Sequence, residues 1–120
     1  MQKDPAGDEL SPVERLFDCL LGLSKLERQL FMRLLDRPGE CCQDLARRER
    51  KDRTVIQKAM KRLLDKGLIE RQPVRTSGPE RNTYKYVYAP IPIPELRARL
   101  LALIDETRLR MLDVVNRVFI

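Results

Sequence analysis

The chain has 120 residues, a formal net charge of +6, and neither histidine nor tryptophan. That size suits one modest core and is too short for a binding domain plus a separate ligand-sensing domain. Without histidine the commonest general base and metal ligand is missing, and no nucleophile is paired with a base, so catalysis is not expected.

Residues 1–10, MQKDPAGDEL, are polar, carry Pro5 and Gly7, and read as a loose arm without the apolar core of a signal peptide. No apolar run reaches the length of a membrane span, and the expected location is the cytoplasm. Ser11 with Glu14 and Ser24 with Glu27 both fit the S-x-x-E capping box, in which hydroxyl and carboxylate satisfy orphaned backbone donors, so each marks a helix start. The first helix places Pro12 at its opening position and should bury Val13, Leu16, Phe17, Leu20 and Leu21. The second should bury Leu26, Leu30, Phe31, Leu34 and Leu35 before Pro38 and Gly39 end it. A short third helix is expected over 41–49.

The tract RRERKDRTVIQKAMKRLLDKG, residues 47–67, concentrates the charge: eight basic and two acidic residues between Arg47 and Arg62 give a net +6, equal to that of the whole chain. At 100° per residue from Arg53, Val55, Ile56, Ala59, Met60 and Leu63 share one arc, and Arg53, Thr54, Gln57, Lys58, Lys61 and Arg62 share the other. Leu64 falls near the polar arc. Asp52 is the expected N-cap and Gly67 the residue that ends the helix. Such a face suits a phosphate-rich partner, although a basic helix face is often merely solvated.

Residues 68–74 are β-compatible, 75–82 (RTSGPERN) are turn formers, and 83–89 (TYKYVYA) alternate strictly, which predicts a hairpin with a basic tip carrying Arg75 and Arg81. Tyr84, Tyr86 and Tyr88 share one face, and packing is the favoured reading over base stacking. APIPIPE is expected to be a connector that cannot continue the sheet, since prolines remove ladder donors. A long final helix over 93–120 carries Leu96, Leu100, Leu103, Ile104, Met111, Val114, Val115 and Val118. Its apolar surface exceeds what one small core needs, and a second copy of the chain is the expected occupant.

The cysteines, Cys19, Cys41 and Cys42, form no CxxC pair, so no structural metal or other cofactor is expected. A redox switch at Cys41 or Cys42, near an Arg- and Lys-rich helix start, is a minor alternative to small, half-buried side chains.

Three helices followed by a hairpin is the order of a winged helix-turn-helix: mainly α with a small β-hairpin (α+β), here with a long C-terminal dimerisation helix. The expected division is an arm over 1–10, a DNA-binding domain over 11–92, and the dimerisation helix over 93–120. The residues also resemble the TrmB-like winged-helix transcriptional regulators, mostly archaeal, and more distantly the MarR group. The resemblance runs through LGLSKLERQLFMRLLDRPGE, QDLA, KDRTVIQKAMKRLLDKGLIER and TYKYVYAPIPIPE and into the last helix, a span of roughly 100 residues. It implies homodimers that bind duplex DNA, with Arg53, Thr54, Gln57, Lys58, Lys61 and Arg62 entering the major groove and Arg75 and Arg81 on the wing. The chain departs from the family pattern at Glu49, Arg50 and Lys51, where an apolar-Gly-apolar turn is usual, and at Cys41, where a Thr cap is common. The wing has only Gly78 with Pro79. Other readings are a winged-helix protein-interaction module, which predicts an apolar recognition face, and a thiol-based redox regulator. No effector ligand is indicated.

Overall fold

The computed structural model of the chain describes residues 11–75 and 84–120. The predicted arm, residues 1–10, and the hairpin tip with Arg81 lie outside the described residues.

Both capping boxes form. The Glu14 backbone N–H donates to Ser11 Oγ at 3.2 Å, and Glu14 Oε1 accepts from the Ser11 N–H at 3.2 Å. Ser24 and Glu27 repeat the exchange at 3.2 and 3.0 Å. From the first box runs α1 (Pro12–Leu16), which passes directly into a single π-helical turn, Phe17–Leu21, closed by Gly22 at φ 62°. From the second runs α2 (Lys25–Asp36). Then come α3 (Cys42–Glu49) and α4 (Arg53–Asp65), followed by β1 (Ile69–Arg75), β2 (Tyr84–Pro90) and α5 (Ile93–Val118).

The apolar stripes of α2, α3 and α4 meet in one core centred on Leu30, Phe31, Leu34, Leu45, Ile56, Met60, Leu63 and Leu68, all without measurable exposure. Phe17 from the π turn stacks on Phe31 at 4.9 Å between ring centroids. Two predicted core residues stay at the surface: Val13 is 44% exposed and Val55 41%. Both sit in the first turn of their helices, where the core does not yet reach. Leu64, the misfit of the helical-arc reading, packs partly against the core.

Cys41 serves as the N-cap of α3 without a side-chain cap hydrogen bond, so the departure from a Thr cap leaves that helix start unassisted. Between α3 and α4 the backbone turns through Arg50 at φ 56°, the left-handed region where the family usually has glycine. The Lys51 N–H reaches back to the Ala46 carbonyl at 3.1 Å and fixes that turn.

Strands β1 and β2 pair antiparallel from Ile69 with Pro90 to Arg75 with Tyr84. The expectation that the sheet ends with Ala89 is corrected by one residue: Pro90 keeps the register with Ile69, because a terminal strand residue has no further ladder donor to supply. The Ile91 N–H then donates to the Leu68 carbonyl at 3.0 Å. On its other edge β2 is tied to the helices. Gly39 N–H donates to the Tyr88 carbonyl and Tyr88 N–H to the Glu40 carbonyl, both at 2.8 Å. The wing therefore springs from the α2–α3 junction as well as from the end of α4.

Helix α5 has two environments. Leu96 is 5% exposed and belongs to the chain's own core, against which Leu100 and Leu103 are half-buried. Leu96, expected in the dimerisation set, packs against the chain's own core: the start of α5 lies over the domain and its first apolar turn is used there. Beyond it, Ile104, Met111, Leu112, Val114, Val115 and Val118 are between 42% and 65% exposed. With 26 residues α5 is about 39 Å long at 1.5 Å per residue. Its projection makes the radius of gyration 17.8 Å, against about 13–14 Å for a compact chain of this length.

Candidate nucleic-acid interface

Arg53, Thr54, Gln57, Lys58 and Lys61 all lie on the exposed face of α4, while Ile56, Ala59, Met60 and Leu63 anchor it to the core. The helical period thus settles which residues reach solvent. It does not settle which charges are available there. Arg47 pairs with Asp44 at 3.3 Å, Lys61 with Asp65 at 3.3 Å, and Arg48 with Glu40. Arg50, Lys51, Arg53 and Lys58 make no ion pair among the described residues, and they cluster around the α3–α4 turn and the first half of α4.

Among the expected recognition residues, Arg62 has an ion-pair partner on another helix. Its Nη1 donates to Glu27 Oε2 at 3.2 Å, and the Glu27 side chain is only 4% exposed. The cause is local to α2: the capping box fixes Glu27 at the helix start, where α4 packs over it, so a carboxylate is buried and needs a cation. Arg62 supplies that cation from the flank of α4, so part of the +6 is matched by a carboxylate of the chain itself. A similar tie joins α2 to α3, where Arg33 meets Glu49 at 2.8 Å.

The wing presents Arg71 and Arg75 beside the tyrosine stripe. The Arg71 guanidinium lies 4.3 Å from the Tyr86 ring centroid and that of Arg75 5.9 Å from Tyr84. The stripe is divided, with Tyr88 buried and Tyr84 and Tyr86 exposed. Gln43 from α3, Arg53 and Gln57 from α4, and Tyr84, Lys85 and Tyr86 from β2 surround a cleft of about 140 Å³, and the buried Cys41, Cys42 and Tyr88 complete its lining. Sequence reasoning missed Gln43 and Lys85, because no local pattern shows that α3, α4 and β2 converge.

Cys41 and Cys42 are free thiols and both buried. Burial pushes the Cys42 thiol above its ordinary value, only partly offset by the neighbouring Tyr88 hydroxyl and the charge of Arg53. Burial, and then the charge of Cys42, raise Tyr88 likewise. A redox-sensing thiol needs access and a lowered pKa, and Cys42 has neither. Among the described residues no group of three or more His, Cys, Asp or Glu is placed to hold a metal ion. Among the described residues no helix is long and apolar enough to cross a membrane.

A short helix, a tight turn, an exposed basic helix and an antiparallel hairpin pinned beside it make a winged helix-turn-helix, the architecture of many DNA-binding regulators. A family model described as the sugar-specific transcriptional regulator TrmB matches residues 19–94, and the chain belongs to that family. It is similar to the uncharacterized protein MJ1082 of Methanocaldococcus jannaschii, 31% identical over 94 residues that cover 78% of this chain and 75% of the relative. A second protein of that organism, the uncharacterized MJ1503, is 27% identical over 84 residues, covering 70% of this chain and 61% of its own length.

Among solved structures, a possible transcriptional regulator from Methanosarcina mazei Go1 superposes with a TM-score of 0.74 over 98% of this chain and 97% of that one, at 20% identity. The transcriptional regulator BldR from Sulfolobus solfataricus gives 0.51 over 88% and 70%, at 23% identity. At such identities the likeness is one of fold. The family is one of transcriptional regulators.

Proposed function

We propose that this chain is a sequence-specific regulator that binds double-stranded DNA as a homodimer, with α4 in the major groove and the β1–β2 wing on the backbone or the adjacent minor groove. The observation that carries the reading is the exposed face of α4 and its preceding turn, where Arg50, Lys51, Arg53 and Lys58 are unpaired among the described residues and Gln57 stands between them. A protein-interaction module would want an apolar face there, and Val55 is the one large apolar side chain exposed on α4. In this reading residues 11–92 bind DNA, and the outer part of α5, from Ile104 to Val118, pairs with a second copy. A cytoplasmic location accompanies the role. Arg75 and Arg81 act on phosphates, which set affinity and register, while Gln57 reads a base edge.

The test is a salt titration of binding to random duplex, followed by selection of bound sequences. With two copies of the unpaired cluster, the log–log salt slope is expected to be about −5 or steeper. Gln57→Ala should cost about 1–3 kcal/mol at the selected site and little on random duplex. Arg75→Ala should weaken both alike. Absence of duplex binding at low salt would refute the proposal in favour of a protein partner.

A further inference from the structure

The cleft between α4 and the wing is lined by two cations, Arg53 and Lys85, by the amides of Gln43 and Gln57, and by Tyr84 and Tyr86, with no carboxylate in its lining among the described residues. Arg53 and Lys85 are unpaired among the described residues, and Arg71 and Arg75 stand over the tyrosine rings, adding positive potential behind them. This is unlike the hollow between α1, α2 and α3, where three carboxylates, Glu14, Asp36 and Glu49, face one cation, Arg33. A volume of about 140 Å³ is close to that of an engineered cavity of about 150 Å³ that accepts benzene, enough for one phosphate and its oxygens.

A helix in the major groove and a hairpin at the neighbouring minor groove must straddle the one sugar-phosphate strand that separates the two grooves. The gap between those two elements is this cleft. We propose that it seats one backbone phosphate of each half-site, with Arg53 and Lys85 supplying charge and Gln43, Tyr84 and Tyr86 supplying neutral donors. The assignment rests on the reading of α4 as the major-groove helix. It gives the exposed tyrosines a role as phosphate donors instead of base-stacking platforms.

The experiment compares the full chain with Lys85→Gln and Tyr86→Phe on the selected duplex, and on duplexes in which single phosphates are replaced by uncharged methylphosphonate. Lys85→Gln should weaken binding roughly tenfold and flatten the log–log salt slope by about 0.9 for each cleft. Tyr86→Phe should weaken binding with the slope unchanged, because a neutral donor displaces no counterion. One methylphosphonate position per half-site should weaken the wild type and cause no further loss in Lys85→Gln. If the wild type binds with a steep salt slope while both variants match it, or if losses from Lys85→Gln and every methylphosphonate simply add, the cleft assignment is overturned and the DNA-binding reading stands. If the wild type binds no duplex, both fall. Saturable binding of inorganic phosphate by the free protein below millimolar concentration, lost in Lys85→Gln, would assign the cleft to a small phosphorylated ligand and also overturn the proposal.

Discussion

Replacing Arg62 with alanine separates a structural charge from a recognition charge. In the folded chain Glu27 is 3% exposed, its Oε1 accepts the Ser24 N–H at 3.0 Å, and its Oε2 has Arg62 at 3.2 Å. Arg62→Ala leaves one carboxylate oxygen buried and unpaired. Breaking a fully buried ion pair costs about 3–5 kcal/mol. The Arg62 side chain is 64% exposed, so solvent screens the pair, and the expected loss falls to about 1–3 kcal/mol, typical of an unsatisfied buried group. At roughly 3–6 °C per kcal/mol for a chain of this length the shift is readily seen in a thermal melt followed by circular dichroism.

Glu27→Gln keeps the capping-box acceptor and removes the charge. In that background Arg62→Ala should cost less than about 0.5 kcal/mol, so the double-mutant cycle shows strong coupling. Duplex affinity of Arg62→Ala, measured well below its melting temperature, should change less than that of Arg53→Ala. An unchanged melting temperature together with a tenfold loss of duplex affinity would place Arg62 on the DNA face and refute the argument.

Arg50→Gly should raise stability by about 0.5–1 kcal/mol in urea denaturation, since relief of the left-handed strain outweighs the added freedom of the unfolded chain; a destabilised variant would show that the Arg50 side chain holds the turn. Val115→Glu should give a monomer in light scattering whose melt no longer depends on protein concentration, whereas Leu96→Ala should cost about 2–5 kcal/mol of stability through the core cavity it opens; a dimeric Val115→Glu would remove α5 from the interface. Alkylation near pH 8 should reach the exposed Cys19 well before Cys42, whose raised pKa leaves little thiolate. The folded state prefers the neutral Cys42 thiol, so that contribution is full below the ordinary thiol value of 9.0 and is lost as pH climbs through the raised one. Rapid labelling of Cys42 in the native protein would contradict its burial.

The sequence by itself determined what depends on neighbours a few residues apart. Two S-x-x-E boxes set the starts of α1 and α2, Gly67 closes α4 at φ 74°, and the 3.6-residue period of residues 53–65 chose its buried face. Strict alternation in TYKYVYA set β2, because the period of two is a local property of a strand, whereas its register, Ile69 with Pro90 to Arg75 with Tyr84, exists only once β1 lies beside it. Only tertiary structure decided the rest, because it depends on residues far apart in the chain being brought together. Nothing near Arg62 announces Glu27, which is 35 positions away. The tyrosine stripe reads uniformly, yet Tyr88 is buried because the Gly39–Glu40 backbone pairs with it, while Tyr84 and Tyr86, farther out along β2, remain free to line the cleft. The apolar face of α5 is likewise continuous in sequence; its start lies against the core and the rest extends beyond it, so Leu96 is spent on the chain's own fold and Val115 is left exposed.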